Sequence, residues 1–224
     1  MSLPQNPINT NFAVPWWFRR PYLHRYLEKQ WVNEFFETGR LRLSSFKNFA
    51  KLDNQSLVDP SEGSGILRNE TGEHTVFAVM SQGSDAYVLC GSAIYRKPPQ
   101  WGKDSGFRIN DTTGFASIVT RFIPGCRGGI EGLCHYVKKR SVVRNVPMNL
   151  DDYKLPDGNI SMDLLTDNMK AAGDDLFFLK EDSHADELEY RLLWFATGDA
   201  KDEIFIEIPE ARQFCIRIED ITEV

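Results

Sequence analysis

The sequence predicts an α+β fold with mostly antiparallel β-sheets and flanking helices. Apolar residues recur at steps of three and four over residues 26–36 and 114–123, which is the spacing of amphipathic helices. The last third of the chain carries three short apolar runs typical of strands, at 187–195, 203–208 and 214–218. Because strands and helices do not alternate strictly, this class is favoured over a doubly wound parallel sheet.

In the first half of the chain, turn residues mark where elements end. The helix predicted over 26–36 ends at Gly39, since glycine readily adopts the left-handed conformation of a helix C-cap. Residues 41–44 alternate apolar and polar side chains as a strand does. Two further apolar runs, 76–80 and 86–90, are separated by a glycine and an aspartate, which predicts a hairpin.

The second half is divided in the same way. Pro124 and Gly125 stop the helix predicted over 114–123. A strand is predicted over 135–143, and the helical pattern over 162–172 ends at a glycine.

Length and composition predict a single domain with a short arm. A chain of 224 residues, 42% of them hydrophobic, can bury one substantial core. Residues 1–20 are rich in asparagine and proline and lack periodicity, so we expect an irregular N-terminal arm. Residues 21–224 then form the domain.

Charge and hydropathy restrict the partners. A net charge of −6 gives no general attraction to nucleic-acid backbones or anionic lipid. No stretch approaches the roughly 18 apolar residues of a membrane helix, and the N-terminal residues do not form a secretory signal. We therefore expect a cytoplasmic protein that does not bind membranes.

The cysteines predict neither a disulfide framework nor a metal site. Four cysteines are too few and too scattered to form a disulfide framework in a chain of this length. Cys126, Cys134 and His135 lack the paired spacing of a structural zinc site, so we expect buried, reduced thiols and no bound metal.

Paired carboxylates near the C-terminus carry the sharpest chemistry. If 187–195 is a strand, then Glu187, Glu189 and Arg191 share one face, with the two carboxylates roughly 6 to 7 Å apart. One carboxylate could stabilise positive charge while the other orients a nucleophile. Cleavage of the nicotinamide–ribose bond of NAD requires this division, because its transition state resembles an oxocarbenium ion. The alternative is a solvated strand face on which Arg191 pairs with Glu189.

Several short motifs follow one another along the chain. They are His24-Arg25-Tyr26, Phe36-Glu37-Thr38-Gly39-Arg40-Leu41-Arg42-Leu43-Ser44, Asp59-Pro60-Ser61-Glu62-Gly63, Trp101 with Gly106-Phe107-Arg108-Ile109, Lys180, and Glu187-Leu188-Glu189-Tyr190-Arg191. In this order they resemble a widespread bacterial family catalogued as domain of unknown function 2971, over roughly residues 22–218. That family is in turn similar to the ADP-ribosyltransferase superfamily.

The resemblance implies a split, ADP-ribosyltransferase-like β-sandwich that binds NAD as a substrate. Glu189 would be catalytic, holding the ribose 2′-hydroxyl and stabilising the cation, and Glu187 would orient the acceptor. Either Arg25 or His24, beside the anchor Tyr26, would contact the NAD phosphate or ribose.

Two further cofactor-binding positions follow from the resemblance. Ser92 would supply the hydroxyl of the superfamily's middle motif, and Trp101 or Tyr95 would stack on nicotinamide. Each position also has a structural reading: His24 as a hydrogen-bonded core histidine, Ser92 as a turn residue beside Gly91, and Trp101 as core packing.

The expected function is therefore transfer of ADP-ribose from NAD to a protein or nucleic-acid acceptor, in a toxin or phage-defence role. An NAD glycohydrolase and a catalytically silent binding module are the alternatives. A weaker alternative is a metal-dependent nuclease built on Asp59, Glu62, Glu187 and Glu189.

Overall fold

The fold is described over part of the chain. The computed structural model describes residues 8–10, 22–49, 64–71, 74–81, 83–138, 141–144, 150–165 and 174–220. The α-helices of this part are α1 (Lys29–Thr38), α2 (Phe46–Phe49) and α3 (Thr112–Thr120), and residues 162–165 are also helical. Short 3-10 turns occupy Leu150–Tyr153, Asp174–Phe178, Asp182–Glu187, Pro209–Phe214 and Ile218–Asp220. The described residues contain no helix that could span a membrane.

Strands dominate the described residues. In chain order they are β1 (Ile8–Thr10), β2 (Leu23–Leu27), β3 (Arg40–Ser45), β4 (Ser64–Thr71), β5 (His74–Ser81), β6 (Ala86–Ser92), β7 (Ser105–Ile109), β8 (Cys126–Leu133), β9 (His135–Val137), β10 (Ser141–Arg144), β11 (Leu179–Glu181), β12 (Glu189–Ala196), β13 (Glu203–Glu207) and β14 (Cys215–Arg217).

Nine of these strands form one large sheet. Its order is β1-β8-β12-β6-β2-β7-β14, and β3 joins it through β6 and carries β13 on its other side. The strand pairs in it are antiparallel except for β1 with β8. Two small sheets, β10-β4-β5 and β11-β9, complete the described strands. The predicted α+β class with mostly antiparallel sheets and flanking helices is confirmed.

The first helix begins later than predicted. Residues 23–27 form β2 in the sheet, and α1 starts at Lys29, so the predicted start at residue 26 was wrong. Its end was predicted correctly: Gly39 has φ 78° and its N–H donates to the carbonyl of Phe35. A side chain at Gly39 would collide with the backbone of Ile208, which excludes other residues there.

The predicted hairpin over 76–90 does not form. β5 pairs with β4 in a small sheet, whereas β6 pairs with β12, β3 and β2 in the large one. Long-range partners take both edges of β6, so its neighbour in sequence is not its neighbour in the sheet. The strand predicted over 135–143 is likewise divided into β9 and β10, which belong to different sheets.

Other predictions fall partly outside the described residues. Within the predicted irregular arm, Ile8–Thr10 form β1 beside β8, and the other residues of 1–20 lie outside the described part. The helix predicted over 162–172 is helical at 162–165, and the rest of it is not described.

The two central strands are buried on both faces. Leu89 of β6 and Leu192 of β12 belong to a large apolar cluster on one side of the sheet. Val88 and Leu193 belong to a second cluster on the other side, which includes Phe177. Packing on both faces makes β6 and β12 a rigid support for the side chains at their ends.

Candidate functional site

The large sheet forks along one edge of β6. Tyr87 and Val88 of this strand pair with β3, whereas Ser92, four residues further on, pairs with His24 of β2. β2 and β3 therefore leave the same edge of β6 at different points, and a cavity opens between them.

That cavity has a volume of about 240 Å³. It is lined by His24, Arg25, Tyr26, Leu27, Arg42, Ser44, Val88, Leu89, Cys90, Gly91, Ser92, Trp101, Lys103, Lys180, Glu187 and Glu189. The seven residues that the sequence singled out as catalytic or cofactor-binding are all among them. Tyr95, the alternative to Trp101, is not a lining residue.

Three of the polar lining residues share one row across the sheet. Ser92 is the register partner of Glu189 on β12 and of His24 on β2. Directly opposed residues lie on the same face of a sheet, so these three side chains project to the same side. With strands about 4.8 Å apart, roughly 10 Å separates the backbone of His24 from that of Glu189.

Glu187 does not lie on the strand as predicted. It ends the 3-10 turn Asp182–Glu187, and Leu188 follows in the left-handed conformation with φ 44°. β12 then begins at Glu189. The two carboxylates nevertheless converge, because both accept hydrogen bonds from Lys180 Nζ, at 2.6 Å for Glu187 and 2.5 Å for Glu189.

The carboxylate of Glu189 is buried and doubly paired. Arg191 Nε donates to its second oxygen, and the Arg191 Nη1 atom donates to the carbonyl of Phe177 at 2.7 Å. The pairing of Arg191 with Glu189 was expected for a solvated face, but the side chains of Glu189 and Arg191 are only 6% and 0% exposed. The solvated alternative is therefore wrong.

Neighbouring charges set the pKa values of Glu189 and Lys180. Burial alone would raise the pKa of Glu189, but Arg191 and Lys180 outweigh burial and hold that pKa well below its ordinary value. Burial also opposes the charge of Lys180, whose pKa is nevertheless raised by the two glutamates. Lys180 and Glu189 are therefore both charged at neutral pH, and Glu189 is available as an anion.

His24 sits on the opposite wall in a different environment. Its side chain is 2% exposed, and its ring lies edge-on to Tyr22 and Tyr95, with centroids 5.6 and 5.8 Å away. Burial lowers the pKa of His24 to about 4; a hydrogen bond to the Ser92 backbone opposes this shift and nearby Arg108 adds to it. His24 is therefore neutral at physiological pH.

Arg25 follows His24 on β2 and adds a positive charge to the lining. Its Nη2 atom donates to the carbonyl of Arg42 at 3.3 Å. Its Nη1 atom is buried and has no hydrogen-bond partner among the described residues. Burial and Arg42 lower the pKa of Arg25 to about 10, which still leaves it protonated at neutral pH.

Ser92 is the last residue of β6, so its structural reading as a turn residue was wrong. Its hydroxyl donates to the carbonyl of Glu187 at 2.9 Å. This bond holds the 3-10 turn that ends at Glu187 beside Ser92, the register partner of Glu189.

Tyr26 and Trp101 form the aromatic part of the lining. The Tyr26 hydroxyl donates to the carbonyl of Arg96 at 2.8 Å and accepts from its N–H at 2.6 Å. The Trp101 ring lies edge-on to Tyr26 with centroids 5.3 Å apart, and the Arg96 guanidinium lies 5.3 Å from the Trp101 centroid. Trp101 therefore packs on protein groups and also reaches the cavity.

The sequence patterns predict no role for Lys180 beyond its place in a motif. It lies on β11 opposite Tyr136 of β9, and the Tyr136 hydroxyl accepts a hydrogen bond from the Glu189 N–H at 2.7 Å. The small β9–β11 sheet thus brings both Lys180 and Tyr136 to the start of β12. The available signal was a lysine directly after the apolar run Leu176–Leu179, a position that buries its side chain.

The described residues hold no cluster of three or more histidine, cysteine or acidic side chains suited to a metal. Asp59 and Glu62 of the nuclease alternative lie outside this part of the chain. Within the described residues, Cys90, Cys126, Cys134 and Cys215 form no disulfide bonds.

Comparisons of the chain with family models, with curated proteins and with solved structures found no match. The resemblance to an ADP-ribosyltransferase-like family thus remains a prediction from its motifs.

Proposed function

We propose that this protein cleaves the nicotinamide–ribose bond of NAD and transfers ADP-ribose to a macromolecular acceptor. One observation carries the proposal: Glu187 and Glu189 line the same cavity as His24 and Arg25, although more than 160 residues separate the two pairs. Stabilising an oxocarbenium-like ribose needs an anion beside the sugar, and binding the diphosphate of NAD needs a positively charged site.

Glu189 is the proposed catalytic residue. Its carboxylate is ionised, buried and held by Lys180 and Arg191, so its position is set before a substrate arrives. A carboxylate has about four acceptor sites, which leaves capacity for the ribose 2′-hydroxyl. As the glycosidic bond breaks, its charge stabilises the cation on the ribose.

Glu187 is proposed to orient the acceptor. It shares Lys180 with Glu189, and the Nδ1 atom of His184 lies 2.8 Å from its other oxygen. Its side chain is 17% exposed, against 6% for Glu189, so an acceptor has more access to Glu187.

The opposite wall is proposed to hold the neutral and anionic parts of NAD. His24 is neutral and faces the same side of the sheet as Glu189, so it is proposed to contact the ribose. Arg25 has a buried N–H group that lacks an acceptor among the described residues, and a phosphate oxygen would satisfy it.

The test is release of nicotinamide from NAD by wild-type protein and by the Glu189→Gln variant. We expect the variant to lose at least 100-fold in turnover, because the group that stabilises the cation is gone. Glu189→Asp keeps the charge while shortening the side chain, and Glu207→Gln makes the same chemical change at an exposed position of β13. Circular dichroism establishes that each variant is folded.

Equal turnover by wild type and folded Glu189→Gln would reject this assignment. Labelled NAD separates the remaining functions. Label on a protein or nucleic acid indicates transfer, and free ADP-ribose without labelled acceptor indicates a glycohydrolase. NAD binding without turnover indicates a silent binding module.

A further inference from the structure

A second cavity adjoins the first. It has a volume of about 180 Å³ and lies beside α1 and β3. Four residues line both cavities, namely Arg25, Leu27, Arg42 and Lys103. A ligand in the first cavity can therefore continue past these shared residues into the second.

The walls of this second cavity are largely aromatic. Phe35 and Phe107 are buried and stacked with centroids 4.7 Å apart. Trp31 of α1 and Phe205 of β13 also line it, yet they are 45% and 46% exposed. Two large, half-exposed aromatic side chains at one cavity offer surface on which a flat, apolar ring can stack.

Polar groups at the same cavity restrict what that ring can be. The Arg40 guanidinium lies 4.6 Å from the centroid of Phe205 and pairs with Glu34 at 2.7 Å. Glu34 therefore presents carboxylate oxygens beside the aromatic surface, and such oxygens accept hydrogen bonds from an exocyclic amine. A purine that carries an amino group offers both the flat ring and the donor.

The shared residues suit an anionic linker between the two cavities. Arg25, Arg42 and Lys103 are all cationic, and the buried Nη1 atom of Arg25 has no acceptor among the described residues. A diphosphate lying between the cavities would supply oxygens to that atom and charge to all three side chains.

We propose that the second cavity binds the adenosine end of an adenosine diphosphate group, with the base on Trp31 and Phe205 and the diphosphate on Arg25. This inference rests on the proposed function in taking the first cavity as the site of the nicotinamide ribose. It adds a specificity site on α1 and β13, away from the reacting atoms.

Calorimetric titrations with two separate probes test it. Adenosine diphosphate probes the second cavity, and nicotinamide mononucleotide probes the first. Base–aromatic stacking contributes about 1–3 kcal/mol per base, so Trp31→Ala and Phe205→Ala should each weaken adenosine diphosphate binding by roughly 5-fold to 150-fold. Neither variant should alter the affinity for nicotinamide mononucleotide. Phe122→Ala is the matched control, since Phe122 is 39% exposed and lines neither cavity.

The outcomes separate this inference from the proposed function. Failure of wild-type protein to bind adenosine diphosphate, or unchanged binding in both folded variants, would overturn the inference. Binding that depends on Trp31 and Phe205 in a protein that neither binds nicotinamide mononucleotide nor turns over NAD would support the second site and reject the proposed function.

Discussion

The two walls of the cavity differ in how their buried ionisable groups are paired: the β12 wall carries Glu187 and Glu189, and the β2 wall carries His24 and Arg25. On the β12 wall, Lys180 and Arg191 match the carboxylates of Glu187 and Glu189, and the ionised state of Glu189 is favoured. On the β2 wall, burial lowers the pKa of His24 and of Arg25, and no carboxylate among the described residues offsets it. The charges of the β12 wall are therefore balanced within the protein, whereas an anionic ligand would stabilise the β2 wall more than the β12 wall.

Removal of Lys180 should produce the largest effect on stability. Lys180→Met leaves two carboxylates close together without their shared cation, and loss of one partner from a buried ion pair costs about 3–5 kcal/mol. Lys154 forms an ion pair of the same 2.5 Å length with Asp151, but these side chains are 51% and 68% exposed. Lys154→Met should therefore cost less than about 1 kcal/mol. Urea unfolding of both variants measures the difference.

Equal destabilisation by the two lysine variants would contradict the claim that the β12 wall depends on internal pairing. The comparison controls for pair length and residue type, so burial and the second carboxylate are the remaining differences.

On the β2 wall, we expect a pH dependence that comes from His24. Its pKa is about 4 in the folded protein and about 6.5 when unfolded, so between these values only the unfolded chain binds the proton. The stabilisation is thus complete above pH 6.5 and is lost as pH falls toward 4, by about 3 kcal/mol in total. His24→Gln should flatten this slope in unfolding free energies measured from pH 7 to pH 4.

His135 provides the control for this slope. Burial lowers its pKa too, but the half-buried ring is more accessible to solvent than that of His24. His135→Gln should leave most of the slope in place. A slope unchanged in His24→Gln would show that His24 is not the buried neutral group described above.

The difference between the walls also separates what the sequence could predict from what it could not. The family resemblance predicts one site for His24, Ser92 and Glu189, and all three line one cavity. Gly39 predicts a helix end because its conformation has a strong residue preference. No such preference marks Leu188, since a leucine at φ 44° is rare and nothing in the local pattern requires it. The strand was therefore predicted to start two residues too early.

Long-range pairing was the other obstacle. Strand alternation shows which side chains share a face but not which strand lies alongside, so the sequence predicts a β5–β6 hairpin, whereas β5 pairs with β4 and β6 with β12. The role of Lys180 depends on the same information, because β11 reaches the carboxylates through its pairing with β9. Local sequence identified the two carboxylates and Arg191, while the fold supplied Lys180, the cation that the two carboxylates share.

The smallest expected effect is at Ser92, which joins the two walls. Ser92→Ala removes the hydrogen bond from its hydroxyl to the carbonyl of Glu187 and should cost about 1 kcal/mol of stability. Ser45 is a matched control, since it is also a buried serine at the end of a strand, with its hydroxyl 3.2 Å from the carbonyl oxygen of Asp202. Both variants should lose similar stability in urea unfolding. Only Ser92→Ala should also reduce kcat/KM for NAD, because the turn that carries Glu187 is no longer held by this hydrogen bond. An equal loss of kcat/KM in Ser45→Ala would show that Ser92 contributes to stability alone and does not position Glu187.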